Sequence, residues 1–254
     1  MLDATLRRKM IMEKLEAEGN IRVSQLAEAC GTSDMTIRRD LAKLEDTGYL
    51  RINRGLVSLN TGSSVEVSSS VKAHRATEQK KRIAKAAAAQ IQPGSSVYLD
   101  CGTTVKELAM ELANIKKLTV YTNSLLACNV LCNYPNVELH VLPGRFSEVS
   151  MGALDTTTLQ MLQHLRFDVA VLGAEAVDPR VGFMVPEEDD CSCKQIVMDN
   201  SQKTLVIADS SKIFQTSRCI YAQPREVDLL ITDSRCSSEA KKQFAQAELQ
   251  LLTV

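Results

Sequence analysis

Several things are scarce in this sequence, and each absence removes a class of protein. No apolar run approaches the ~18 residues that a membrane-spanning helix needs, so no membrane partner is expected. The N-terminal stretch MLDATLRRKMIMEKLEAEG lacks the long apolar core of a secretory signal, and a cytoplasmic location is the expectation. None of the eight cysteines has C-x-x-C spacing: Cys191 and Cys193 lie two apart, Cys128 and Cys132 four apart. The three histidines are too far from them in sequence to complete a familiar zinc pattern. Scattered reduced thiols are therefore the reading, with a redox or metal role as the alternative; no metal and no cofactor are called for. There is no internal repeat and no extended low-complexity tract.

What is present is a 254-residue chain, 44% hydrophobic and 24% charged, the balance of a soluble globular protein with one large or two smaller cores. Its net charge of −1 is unevenly shared: 16 basic and 11 acidic residues stand in 1–92, against 14 and 20 in the remainder. The first part suits a polyanion better than the second. Residues 1–60 read as helices followed by strands. Residues 61–76, which include the Ser-rich TGSSVEVSSS, read as a linker. From 77 to 254 the runs SSVYLD, LTVYT, VELHVL, FDVAVLG, TLVIAD and DLLIT alternate with helix-like segments such as EQKKRIAKAAAAQI, TVKELAMELAN and LQMLQHL. Buried strands alternating with helices predict an α/β, Rossmann-like domain with a largely parallel sheet.

The stretch RVSQLAEACGTSDMTIRRDLAKLEDTGYLRI places Leu26, Ala27 and Cys30 inward on one short helix, capped by Ser24. Gly31 gives a turn, Ser33 or Asp34 caps a second helix, and Ile37, Leu41 and Leu44 form its buried stripe. Thr36, Arg38, Arg39 and Lys43 then point away from that stripe, as in a helix-turn-helix. YLRINRGLVSL supplies two strands around Gly55, a basic wing. A small helical protein-binding module would show the same pattern. Residues 7–58, and SDMTIRRDLAKLE in particular, closely resemble the winged helix-turn-helix domain of DeoR-type bacterial transcription regulators. The resemblance implies contacts with double-stranded operator DNA from Ser24, Thr32, Ser33, Met35, Thr36, Arg38, Arg39, Lys43, Arg51 and Arg54. In one departure, Leu56 stands where the family usually has a second wing glycine.

In SVYLDCGTTV an apolar run stops at Asp100, a small-residue turn follows, and a helix pattern begins. The backbone N–H groups of Gly102, Thr103 and Thr104 then sit at a helix N-terminus, where unpaired donors and the helix dipole favour an anion. Helix capping alone would also explain such a turn. Other polar groups end other strands: Thr122, Asn123 and Ser124; Gly144, Arg145 and Gly152; Glu175 and Asp178; Asp209, Ser210 and Lys212. Polar groups at several strand ends of a parallel sheet mark a ligand site.

The DeoR-type resemblance continues to about residue 252, and that family's C-terminal domain is similar to ribose-5-phosphate isomerase and senses phosphorylated metabolites. By resemblance, the 102–104 loop and Lys212 hold a phosphate, Asp100, Asn123, Glu175 and Asp209 face sugar hydroxyls, and Lys194 lies on a helix facing the site. A solvated helix face is the other reading of Lys194. In GAEAVD, Glu175 and Asp178 match the offsets of the isomerases' proton-transfer acids. The isomerases' Gly-rich stretch is missing, since DPRVGFMVPEEDDCSCK holds one Gly and Lys194 comes late. The implied protein is not an enzyme. It is a regulator, by default a repressor of carbohydrate or sugar-acid catabolic genes, acting as a homo-oligomer (dimer or tetramer) under a phosphorylated sugar or sugar-acid effector. An active sugar-phosphate isomerase and a ligand-free binding module are the competing classes.

Overall fold

The computed structural model describes residues 3–45, 50–59, 69–72 and 76–254. The chain divides into two compact units, Met1–Arg75 and Ala76–Val254. The segment read as a linker lies mostly outside the described residues; within it, Ser69–Lys72 form a single helical turn, α4.

The first unit runs α1 (Ala4–Glu18), β1 (Asn20–Arg22), α2 (Val23–Ala29), α3 (Asp34–Glu45), β2 (Leu50–Asn53) and β3 (Leu56–Leu59). Ile11 and Leu15 of α1, Leu26 of α2 and Ile37 and Leu41 of α3 are fully buried together. Each such side chain contributes roughly 1.5–3 kcal/mol on leaving water. A buried ion pair, Arg7 to Asp40, fastens α1 to α3. The strands form an antiparallel sheet in the order β1-β3-β2, so the wing has a third strand that the sequence reading lacked. Arg54 and Gly55 link β2 to β3, and both take positive φ, 50° and 79°. That is the pattern of a two-residue I′ hairpin turn. Leu56 is already in β3, paired with Asn53, so the missing second glycine is not needed for this turn.

The second unit runs α5 (Thr77–Ala88), β4 (Ser96–Leu99), α6 (Thr103–Leu112), β5 (Leu118–Thr122), α7 (Leu125–Leu131) and β6 (Val137–Val141). A small hairpin follows, β7 (Phe146–Ser147) and β8 (Gly152–Ala153), then α8 (Thr156–Leu162) and β9 (Phe167–Gly173). The chain continues through β10 (Ala176–Asp178), β11 (Gly182–Val185), α9 (Glu188–Asp199), β12 (Ser201–Ile207), β13 (Cys219–Ala222), β14 (Leu229–Thr232), α10 (Ser238–Gln246) and β15 (Leu251–Thr253).

Seven strands form one parallel sheet in the order β15-β14-β12-β9-β4-β5-β6. Val97 and Leu99 of β4 pack toward α5, α6 and α7, whereas Tyr98 between them packs on the opposite core with Phe167 and Val197. Both faces are thus covered, which is why these strands read as continuous apolar runs. From the middle of the sheet, β4, β5 and β6 step outward one way and β9, β12, β14 and β15 the other. The order reverses between β4 and β9, and a parallel sheet opens a crevice at such a reversal.

Candidate functional site

On the first unit, Ser33 caps α3: its Oγ accepts from the N–H of Thr36 at 3.3 Å. Ser24 does not cap α2. That helix begins at Val23, with Arg22 at the cap position two residues before Ser24, and the backbone N–H of Arg22 donates to Gln25 Oε1 at 3.0 Å. Ser24 instead lies exposed in the first turn. Ile37, Leu41 and Leu44 are buried, and this turns Arg38, Arg39 and Lys43 into solvent. Met35 is 72% exposed, and Thr32 and Thr36 are half-buried beside it. Arg51 and Arg54 are exposed on the wing. The buried stripe of α3 therefore fixes an outward basic face, the geometry that reads a major groove through Arg and a backbone through Lys.

On the second unit, the reversal between β4 and β9 carries the densest polar cluster. Asp100 follows β4 and is 2% exposed. Its Oδ2 accepts from the N–H of Gly173 at the end of β9, at 2.8 Å, and from Lys194 of α9. Lys194 is itself buried, so it is not on a solvated helix face. Burial opposes its charge, but the Asp100 and Asp190 carboxylates outweigh that and hold its pKa well above the ordinary lysine value. Asp190 Oδ1 lies 3.4 Å from the same ammonium. The Tyr221 ring lies 5.5 Å from it, and the Tyr221 hydroxyl donates to the carbonyl of Gly173 at 3.0 Å.

Gly102 has φ 130°, a backbone setting open to glycine and strained for other residues. It forms the cap position of α6 with no side-chain cap, so the first turn presents bare N–H groups. Thr103 is buried and Thr104 half-buried in that turn. Asn123 Oδ1 accepts from the Tyr98 hydroxyl at 3.0 Å and from Cys101 Sγ at 3.4 Å. A Cβ on Gly152 would collide with Cys101 Sγ, so the β7–β8 hairpin lies directly against this loop.

The structure thus brings Asp100, Asn123 and Lys194 together. It pairs Glu175 with Lys212 at 2.7 Å, both partly exposed, past the ends of β9 and β12. Other residues of the expected set are occupied within the fold. The Thr122 hydroxyl donates to the Leu99 carbonyl at 2.7 Å, and Ser124 Oγ caps α7 through the N–H of Ala127. Asp209 caps its own turn through the N–H of Ser211 at 3.1 Å. Asp178 Oδ1 accepts from the N–H groups of Arg180 and Val181 in the turn after β10. Gly144 packs against Thr158, and the Arg145 carbonyl accepts from the N–H of Leu154 at 2.9 Å while its side chain is exposed. The sequence reading missed Tyr98, Tyr221 and Asp233. Asp233 is fully buried and accepts from the N–H of Ser210 at 2.7 Å, which holds the Lys212 turn in place. A strand ending in Thr232-Asp233 was the available signal.

A winged helix-turn-helix with an outward basic helix, in one chain with a doubly wound sheet whose reversal point is lined by buried charges, defines a class: transcription regulators with a ligand-sensing domain. Residues 7–62 match the DeoR-like helix-turn-helix domain and residues 75–234 the DeoR C terminal sensor domain. The chain belongs to the DeoR family. An uncharacterized HTH-type transcriptional regulator of Escherichia coli K12, YgbI, is 31% identical over 97% of this chain and 96% of its own length. A putative aga operon transcriptional repressor of Escherichia coli O157:H7 is 31% identical over 98% and 93%. Among solved structures, a D-ribose-5-phosphate isomerase in complex with phospho-erythronic acid matches with a TM-score of 0.41 and 20% identity over 54% of each chain. Among the described residues, no helix is long and apolar enough to cross a membrane.

Proposed function

We propose that the chain is a cytoplasmic, homo-oligomeric repressor of carbohydrate or sugar-acid catabolic genes, released from its operator by a phosphorylated sugar or sugar acid. In this reading α3 enters the major groove, with Arg38 and Arg39 on base edges or phosphates and Arg51 and Arg54 on the backbone. Residues 1–60 form the DNA-binding domain, 61–76 the linker and 77–254 the sensing and oligomerisation domain. The observation that carries the effector site is the uncapped N-terminus of α6 opening at the sheet reversal, where two lysine–carboxylate pairs stand. An incoming phosphate accepts from the 102–104 amides and replaces Glu175 as the partner of Lys212. Asp100 and Asn123 face the sugar hydroxyls, with Asp100 oriented by Lys194. The Glu175 carboxylate then accepts from a hydroxyl.

Sensing without turnover is the better chemistry for these acids. A proton-shuttling carboxylate must reach neighbouring substrate carbons, and Asp178 is spent on the turn that follows β10. The test combines a melting-shift screen of sugar phosphates and phosphorylated sugar acids with operator binding across a titration of whichever compound shifts. Bound effector at a hundred times its Kd adds about 2.7 kcal/mol of stability. Lys212→Ala should lose the metabolite response and keep operator affinity, since a charge-assisted bond is roughly twice a neutral one. A normal response in that variant would defeat the phosphate assignment, and pentose-phosphate turnover by the parent would defeat the sensor reading.

A further inference from the structure

Among the described residues, the parallel sheet ends on one side at β6, which pairs only with β5. An open edge strand offers unpaired N–H and C=O groups, and stable proteins commonly blunt such edges with charges of one sign. Edge strand β6, VELHV, carries instead one acid and one histidine, two residues apart. Glu138 and His140 share a face of the strand, with Nε2 and Oε1 3.1 Å apart and 39% and 70% of the His140 and Glu138 side chains exposed. Tyr121 stacks on the His140 ring at 4.5 Å and fixes its orientation.

The hydrogen-bonding phase of β6 follows from its end. The N–H of Leu142 donates to the Thr122 carbonyl of β5. In a parallel strand both main-chain groups of a residue point to the same side, and successive residues alternate. Residues 138, 140 and 142 therefore serve β5, and the main-chain groups of Leu139 and Val141 point off the edge. If a second β6 is laid antiparallel with Leu139 opposite Leu139, the two residues exchange a pair of N–H···O bonds. Each Val141 N–H then meets the Val137 carbonyl of the other copy. The same register sets Glu138 opposite His140 of the other copy, twice, at the non-hydrogen-bonded positions where side chains come closest. A lysine edge would repel its own copy; here each carboxylate meets an imidazole with which it can share a hydrogen bond. The apolar surface continues past the strand: Val141 is 57% exposed and Phe146 of the adjoining hairpin 46%.

We propose that β6 pairs antiparallel with β6 of a second copy of this chain, about a two-fold axis through Leu139, and so joins two parallel sheets into one. The proposal rests on the homo-oligomer reading above and names its surface. It places the two sensor domains in an isologous dimer, as a two-fold operator requires.

The test is sedimentation equilibrium of the full-length chain and its variants, with the metabolite melting shift measured alongside. His140→Glu puts like charges opposite each other at both crossing positions and should weaken dimerisation by about tenfold. The swap Glu138→Arg with His140→Glu sets opposite charges across both pairs and should restore it. Val141→Pro removes an outward N–H from an edge position that tolerates proline, and should weaken dimerisation while leaving the metabolite melting shift in place. A parent chain that is monomeric at tens of micromolar would overturn the proposal. A parent dimer unaffected by His140→Glu and Val141→Pro would overturn this surface while leaving the oligomer standing. The melting shift reads the effector site separately, so loss of effector binding and loss of dimerisation are not confused.

Discussion

Lys194 keeps its ammonium with 3% of its side chain exposed, which only its two carboxylate neighbours make tolerable. Removing one partner of such a pair leaves an uncompensated buried charge, at a cost of about 3–5 kcal/mol. Lys194→Met should therefore lower the melting transition of the second unit sharply, and adding Asp100→Asn should recover most of the loss. Calorimetry decides: an unchanged transition in Lys194→Met would mean that the pair carries no stability. The sign of its pH dependence follows from the raised pKa. A lysine whose folded pKa exceeds the unfolded value of about 10.4 contributes fully below that value and loses the contribution as pH rises through the folded one. On the alkaline side, the lysine's contribution to stability should thus persist until strong alkali. Cys101 is the counter-case, a loop residue whose thiol faces inward to Asn123; burial first, and the Asp100 charge second, push its pKa well up. Neither environment was legible in the sequence, because a helical Lys and a turn Cys carry no mark of what packs over them.

The main elements were legible because they follow single periodicities. The β runs are short, mostly apolar and spaced by helix-like segments, and α3 repeats its apolar residues at helical spacing, so burial on two faces or on one stripe appears in the residue order. The antiparallel strands β10, β11 and β13 were not legible. They hold three or four residues each, and β11 pairs with β13 across more than thirty positions of sequence. The cap of α2 was misplaced by two residues, because Arg22 supplies a backbone N–H to Gln25 where a side-chain oxygen from Ser24 was expected. The β7–β8 hairpin also escaped notice, yet it decides the shape of the site. Its Gly152 leaves room for the Cys101 sulfur. Gly152→Ala should displace either the hairpin or the loop, at about 1–3 kcal/mol for an overpacked contact, and weaken metabolite binding. Cys101→Gly in the same chain should relieve the strain. A melting curve for Gly152→Ala matching the parent's would show that the contact is loose.

At the scale of the whole molecule, the first unit and the second have separate hydrophobic cores. Calorimetry should accordingly resolve two transitions. A short operator duplex should raise the one belonging to the first unit, and the metabolite the one belonging to the second. Cross-effects should stay within the ~1–3 kcal/mol usual for coupled sites. A single transition that either ligand moves equally would mean that the two cores melt together.

The reversal at the centre of the sheet also sets when the sensor can exist during synthesis. Asp100 leaves the ribosome with the first half of the domain, but Gly173 and Lys194, which bond it, follow 73 and 94 positions later. Until they arrive, the carboxylate has no ammonium and the loop at 102–104 has only one wall. Closing a chain over such a span is entropically slow relative to local pairing. A nascent or truncated chain that stops before β9 therefore carries the residues of the first unit but lacks both groups that bond Asp100 in the second.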